Sequence, residues 1–155
     1  MAGRIDARLA ARGLTLPEPA RPVANYVPFV VTGDLVVVAG QLPLQDGTVA
    51  VRGKLGAAVS VEDGVRAARV CFVNLLAQVR AACAGDLDRV TLVVRLGGFI
   101  ACTPDFTQHA AVMNGASDLA VEVFGEAGRH ARTTVGVPSL PLDSAVEVEG
   151  MFRIA

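Results

Sequence analysis

The sequence predicts an α+β fold with a mixed β-sheet and two main helices. Three observations carry this prediction. At 155 residues the chain has the length of one domain. Its β-rich runs stand in clusters near the start and at the end, with two long helical patterns between them, and the order β-β-β-α-β-α-β-β lacks a strict strand–helix–strand alternation. Helices set against such a sheet form two layers around one core.

The first 22 residues predict a helical arm and a connector. Ile5 and Leu9 stand four residues apart, as on a short amphipathic helix, and residues 16–22 are rich in proline. We therefore divide the chain into an arm, residues 1–22, and a single domain, residues 23–155. Because the apolar side chains of the arm require burial, we expect it to cover a subunit edge or the mouth of a cleft.

Three β-rich runs follow the arm. Residues 25–32 and 34–39 are separated by a glycine turn, and residues 49–51 come after the turn pair Asp46-Gly47. This spacing predicts a β-meander.

The first long helix begins after Ser60 and ends at Gly85. Ser60 is a typical N-cap residue, and apolar residues recur after it in steps of three and four until the glycine. Residues 91–101 are β-branched and apolar and predict a strand, in which Gly97-Gly98 marks a bulge or a close backbone approach.

The second long helix is predicted from Thr103-Pro104, an N-cap and N1 pair, to Phe124. Two strands then complete the domain. They are residues 132–137 and 144–154, and in the latter Val and Glu alternate.

Composition excludes several classes of function. The chain is 52% hydrophobic and 19% charged, with a mean hydropathy of +0.49, which predicts an oligomer with large buried interfaces. It contains no apolar run of about 20 residues and no secretory leader pattern, so we expect a cytoplasmic protein without a membrane partner. A net charge of −1 and 5% aromatic residues argue against nucleic acid as a partner.

The sequence predicts neither a metal nor a cofactor. No nucleotide-binding or zinc motif is present, and the only two histidines, His109 and His130, make a poor metal site. The thiols of Cys71, Cys83 and Cys102 are scattered, and we expect them to be reduced core thiols.

Polar side chains converge at the last two strands. Arg132 either pairs with Glu147 across neighbouring strands or binds a substrate carboxylate through its planar fork of donors. Glu147 and Glu149 lie on a strand that otherwise has a core pattern, so they are functional or they form the exposed face of an edge strand. Tyr26 and Asn114 also have interpretations without a function. Tyr26 would be a half-buried packing residue, and Asn114 would be a surface residue.

Three stretches of the chain carry a family resemblance. They are Val38-Ala-Gly-Gln-Leu-Pro43, Ala131-Arg-Thr-Thr-Val-Gly-Val-Pro-Ser-Leu-Pro141 and Val146-Glu-Val-Glu149. Together they resemble the Rid/YjgF family of reactive-intermediate imine deaminases, some of which carry the name endoribonuclease L-PSP. The resemblance covers residues 26–154.

The resemblance implies a chorismate-mutase-like two-layer domain that forms a homotrimer around a central barrel, with ligand clefts between subunits. It implies a hydrolase that acts on C=N bonds without a cofactor. Its substrates would be 2-imino and enamine acids of the 2-aminoacrylate type, and its products a 2-keto acid and ammonia. By the same resemblance, Arg132 would clamp the substrate carboxylate and Glu147 would orient or activate a water.

The resemblance also implies four substrate-binding residues. Tyr26 matches a cleft tyrosine, Gly40 and Thr134 match positions whose backbone binds the ligand, and Asn114 matches a helix asparagine with looser spacing. Ala39 departs from the family pattern, because many deaminating members have serine there.

Two other functions stay open at this stage. A trimeric protein could bind small carboxylates in the same cleft without turnover, and the departure at Ala39 is compatible with that. An endoribonuclease is the less favoured alternative, since it would require RNA affinity that the charge balance does not predict.

Overall fold

The structure is a computed structural model that describes residues 2–22 and 24–155. It confirms the α+β architecture, with a five-stranded mixed sheet and two long helices packed on one of its faces. The helices are α1 (Arg4–Ala11), α2 (Val61–Ala82) and α3 (His109–Phe124). The strands are β1 (Phe29–Thr32), β2 (Leu35–Gln41), β3 (Leu44–Gln45), β4 (Thr48–Val49), β5 (Val90–Ala101), β6 (Ala131–Val137) and β7 (Val146–Ile154).

The main sheet has the strand order β1-β2-β7-β5-β6. All neighbours are antiparallel except β5 and β6, which are parallel and are joined through α3. The hairpin β3-β4 forms a separate two-stranded sheet around the predicted turn, where Asp46 and Gly47 both have positive φ. The predicted meander is therefore correct for β1 and β2 only.

The core lies between the sheet and its two covering helices. Along β7 the side chains of Val146, Val148 and Phe152 are fully buried on this side, and Phe152 packs against Phe72 of α2 with ring centroids 6.5 Å apart. Gly115 of α3 lies so close to the backbone of α2 that a Cβ there would collide with the carbonyl of Val65. This glycine lets the two helices approach closely.

The opposite face of the sheet has no helices on it. Val30, Val37 and Val135 project from this face and are 50%, 39% and 44% exposed. We call it the uncovered face. None of the described helices is long and apolar enough to cross a bilayer.

The first long helix was predicted correctly. Ser60 precedes α2 and its hydroxyl accepts a hydrogen bond from the Asp63 N–H at 3.1 Å, which satisfies one of the donors at the helix start. Cys71 and Cys83 are buried free thiols, whereas Cys102 is only partly buried, beside His109.

The predicted start of the second helix is wrong by five residues. The Oγ1 of Thr103 has no hydrogen-bond partner among the described residues and so does not cap a helix, and its carbonyl accepts from Phe106 N–H in an isolated turn. The helix α3 therefore begins only at His109. The predicted strand 25–32 likewise begins late, because the Tyr26 N–H bends back to Ala24 O.

The close-approach interpretation of Gly97-Gly98 is correct. A Cβ at Gly97 would meet the Glu149 side chain, and a Cβ at Gly98 would meet Met113. The register irregularities of β5 lie elsewhere, nearer its beginning.

The arm packs against its own chain. Ile5 and Leu9 of α1 are buried in the main core, and α1 contacts α3. The N-cap residue of α1 offers no side chain, but the Asp88 carboxylate accepts from both Arg4 N–H and Ile5 N–H at 2.8 Å. These two bonds hold the pKa of Asp88 below its ordinary value. The predicted boundary after residue 22 falls at Val23, outside the described residues.

Replacing Asp88 by alanine should release α1 without unfolding the domain. The helix start then loses both acceptors and a favourable charge at its positive end. Amide hydrogen exchange should become faster across residues 4–11, while α2 keeps its protection. Asp34→Ala, which removes an exposed acid that pairs with Arg153 in the turn between β1 and β2, is the matched control. Equal exchange in α1 of the variant and the wild type would contradict this capping role.

Candidate functional site

The guanidinium of Arg132 is bound to the side of α3. Arg132 lies on the edge strand β6, and its Nη1 donates to Asn114 Oδ1 at 2.8 Å and to Ser117 Oγ at 3.0 Å. Its Nη2 donates to the carbonyl oxygen of Ala110 at 3.2 Å. The three acceptors lie along one side of a single helix, at positions three and four residues apart. They fix the plane in which the guanidinium lies.

These bonds use three of the five N–H donors that an arginine carries. Nε–H and one Nη2–H have no acceptor among the described residues. Two donors are the number that a bidentate carboxylate requires. Arg132 is thus held in place by the protein and still has the capacity to bind an anion.

Thr134 lies two residues further along β6 on the same side of the sheet. Its methyl group approaches Gly98, which lies beside Met113 of α3. The Oγ1 of Thr134 is buried and has no hydrogen-bond partner among the described residues. A buried hydroxyl without a partner is uncommon in proteins. Arg132, Asn114 and Thr134 form what we call the arginine half-site.

Arg132 lines a groove of about 310 Å³ with Ser117 and His130, and another groove, of about 540 Å³, lies beside the last residues of β6. His109 and Cys102 line this groove, with His109 Nε2 at 3.6 Å from Cys102 Sγ. A Cβ at Gly136 would meet both groups. The glycine therefore leaves the imidazole and the thiol open towards the edge strand.

Glu147 lies on the uncovered face, on the central strand β7. Its neighbours Val146 and Val148 point into the core, and its own side chain lies against Gly40. The register of β2 shifts between Val38 and Gln41, which indicates a β-bulge, and the bulge turns Gly40 towards Glu147. A Cβ at Gly40 would collide with the carboxylate.

Tyr26 lies in a groove of about 240 Å³ together with Gly40. The connector forms one side of this groove, through Ala20 and Pro22, and the phenol-bearing side chain is 51% exposed. This exposure agrees with the half-buried position that the sequence predicts for Tyr26. Tyr26, Gly40 and Glu147 form what we call the glutamate half-site.

The pKa of Glu147 is raised. Burial is the larger cause, and the negative charge of Glu149 on the same face adds to it. Glu149 itself forms an ion pair with Arg95 at 3.4 Å. Because β7 is central in the sheet, the interpretation of both glutamates as the exposed face of an edge strand is wrong.

The two half-sites lie on opposite faces of the sheet within one chain. Arg132 is in register with Leu96, whose side chain is in the core, whereas Glu147 is in register with Phe99 on the uncovered face. A pairing of Arg132 with Glu147 in the same chain is therefore excluded. The structure brings the six predicted residues together as two groups of three.

Sequence reasoning missed Ser117. Its hydroxyl lies between Arg132 and the imidazole of His130, at 3.0 Å from Nη1 and 2.8 Å from Nε2. The available signal was its spacing, three residues after Asn114 on a predicted helix. No three His, Cys, Asp or Glu side chains converge in a metal-binding geometry within residues 2–22 and 24–155.

Comparisons with known proteins give consistent results. A family model described as YjgF/chorismate mutase-like, putative endoribonuclease matches residues 6–152 and so begins inside α1. Protein TCP17 of Trypanosoma cruzi is 46% identical over 153 residues, which cover 98% of this chain and 95% of that protein.

Two solved structures share the whole fold. Protein Atu1372 of Agrobacterium tumefaciens is 47% identical, with a TM-score of 0.92 over 98% of this chain and 93% of that one. A putative endoribonuclease from Shewanella oneidensis is 37% identical, with a TM-score of 0.94 over 97% and 99% of the two chains.

The contact between Gly40 and Glu147 can be tested without any ligand. Gly40→Ala should lower the free energy of unfolding by about 1–3 kcal/mol, because its Cβ enters the space of the carboxylate. In a Glu147→Ala background the same substitution should cost much less. Urea unfolding of the four proteins in this cycle measures the difference. Equal costs in both backgrounds would show that the two residues are not in contact.

Proposed function

The chain belongs to the YjgF/chorismate mutase-like family, and we propose that it is a hydrolase that deaminates 2-imino and enamine acids of the 2-aminoacrylate type. The observation that carries this proposal is the environment of Arg132. Three acceptors on α3 hold its guanidinium, and two of its N–H donors stay unused. A planar pair of unused donors fits a carboxylate, which supports a small carboxylate as the substrate.

The carboxylate of the substrate binds to the remaining N–H donors of Arg132. A planar fork binds two carboxylate oxygens at once and so fixes the orientation of the substrate as well as its position. Thr134 lies two residues further along β6, where the backbone of family members binds the ligand. Asn114 orients the arginine through its Oδ1.

Water is the second reactant. The reaction is R–C(=NH)–COO⁻ + H₂O → R–C(=O)–COO⁻ + NH₃, in which a C–O bond forms, the C–N bond breaks and two protons pass from water and the adduct to nitrogen. Glu147 orients this water and accepts its proton. Its raised pKa suits that role, since a carboxylate with a higher pKa is a stronger base. An imine carbon is already electrophilic, so the reaction needs no cofactor.

A second copy of the chain completes the site. The arginine and glutamate half-sites are on opposite faces of one sheet, so only a neighbouring subunit can bring Glu147 of one copy towards Arg132 of another. The exposed valines of the uncovered face support an assembly that buries this face, because contiguous exposed apolar surface marks interfaces. We propose a homotrimer, in agreement with the family resemblance.

Binding without turnover is the second candidate function. Ala39 contributes its N–H to Pro28 O at 2.9 Å and has no hydroxyl to offer a ligand where many deaminating relatives have serine. The arginine half-site alone would bind a 2-keto acid without hydrolysing anything. Endoribonuclease activity has no support in the charge of the chain, which is −1.

Replacing Arg132 by lysine or alanine should abolish most of the activity. Lysine keeps the charge but lacks the fork, so kcat/KM should fall by about 100-fold or more in both variants. The assay measures pyruvate release while a serine dehydratase generates 2-aminoacrylate, with the spontaneous rate subtracted. Arg66→Lys, on the exposed side of α2, is the matched control and should retain full activity.

Two results would contradict parts of this proposal. A fully active Arg132→Lys variant would exclude the carboxylate clamp. A wild type that binds pyruvate without accelerating the release would support the binding protein instead of the deaminase.

The pH dependence of kcat/KM should follow the ionisation of Glu147. Because its pKa is raised, the activity should increase with pH through a midpoint above the ordinary glutamate value of about 4.3. Glu149→Gln removes a nearby negative charge, so the ionised form of Glu147 becomes more favourable and the midpoint moves to lower pH. Glu126→Gln, which removes a largely exposed acid paired with Arg129, should leave the midpoint unchanged. A shift to higher pH in Glu149→Gln would contradict the role of Glu147.

A further inference from the structure

A chain of hydrogen bonds with a fixed direction lies behind the guanidinium of Arg132. It starts at the carbonyl of Gly128, which is 2.6 Å from His130 Nδ1. A carbonyl oxygen can only accept, so Nδ1 of His130 carries a proton. In the neutral imidazole the other nitrogen, Nε2, is then an acceptor.

Ser117 continues the chain towards Arg132. Its hydroxyl is 2.8 Å from His130 Nε2, and since Nε2 accepts, the single hydroxyl proton of Ser117 points at His130. The lone pairs of Ser117 Oγ are therefore free to accept, and Arg132 Nη1 donates to them at 3.0 Å. Each donor meets an acceptor from the Gly128 backbone to the guanidinium.

The direction of these bonds matters because Arg132 has only donors. If the proton of Ser117 pointed the other way, it would face Nη1 and oppose the bond that the guanidinium needs. His130 prevents this by taking the Ser117 proton itself. Nη1 then has two acceptors, Asn114 and Ser117, and the guanidinium cannot turn about its last torsion without losing one of them.

We propose that Ser117 and His130 are positioning residues that fix the plane of the Arg132 guanidinium and so leave its two remaining donors preorganised for a substrate carboxylate. They act through the guanidinium, and both line a groove of about 310 Å³ together with Arg132. The identity of the carboxylate rests on the proposed function, but the hydrogen-bond chain itself stands on the distances alone. A fixed arginine loses less conformational entropy on binding than a mobile one, and the gain appears as affinity.

The protonation of His130 is the first test, and it is independent of any activity. Long-range ¹H–¹⁵N correlation spectra at about pH 8.5, where ordinary imidazoles are neutral, distinguish the two tautomers. The wild type should show His130 as the Nδ1–H tautomer with a hydrogen-bonded Nε2. In Ser117→Ala the Nε2 resonance should move to the position of an unbonded acceptor nitrogen. A wild-type His130 in the Nε2–H form would overturn the proposal.

Binding of pyruvate, measured by calorimetry, is the second test. Loss of one hydrogen bond to a charged group should weaken the affinity of Ser117→Ala by about tenfold. Ser117→Thr retains a hydroxyl and should recover most of it. His130→Ala should weaken binding by a similar factor, and the Ser117→Ala/His130→Ala double variant should be no weaker, because both act through one chain. Arg66→Lys, on the exposed side of α2, is the control.

Kinetics separate a positioning role from a structural or catalytic one. Ser117→Ala should raise KM in step with the Kd for pyruvate and leave kcat close to the wild-type value. A Ser117→Ala variant with unchanged affinity and a changed Nε2 resonance would overturn the positioning role. If the wild type binds pyruvate but shows no turnover, the deaminase proposal fails. The pyruvate affinities of the variants still test the positioning role of Ser117 and His130.

Discussion

Helices cover only one face of the five-stranded sheet, and this asymmetry governs where each functional group lies. On the covered side, α3 lies next to the edge strand β6 and supplies the acceptors that hold Arg132. On the other side no helix of the described residues packs against β7, and Glu147 shares the surface with exposed valines. Because successive side chains of a strand alternate between the two faces, no local adjustment can bring the two groups together in one chain. Our proposal that both groups serve one site therefore includes a second copy of the chain.

Close backbone approaches are the means by which the fold places its polar groups. The bulge in β2 turns Gly40 towards Glu147, and the missing side chain leaves room for the carboxylate. Gly98 has the same effect beside Met113 and Thr134, and Gly115 brings α3 close to α2. The burial that results raises the pKa of Glu147, with Glu149 adding to it. The packing around Gly40 thus contributes to the raised pKa of Glu147.

Much of the fold could be predicted, because its elements follow local rules. The Ser60 N-cap, the steps of three and four residues along α2 and the alternation along β7 each depend on neighbours in sequence. The start of α3 could not be predicted, since Thr103 has the residue pattern of an N-cap but its Oγ1 caps no helix in the described residues and its carbonyl accepts from Phe106 N–H in an isolated turn. The bulge at Gly40 also has no local signature, because it arises from the pairing of β2 with β7.

The sequence by itself determined the α+β class, the family resemblance and the six residues on which the site proposal rests, because short motifs and periodicities are properties of the chain alone. Tertiary structure decided how those six residues are grouped. It placed Arg132 and Glu147 on opposite faces, which excludes the ion pair that their strands suggest, and it brought Ser117 and His130 behind the guanidinium. Strand order and register determine these relations, and they depend on contacts between residues far apart in the chain.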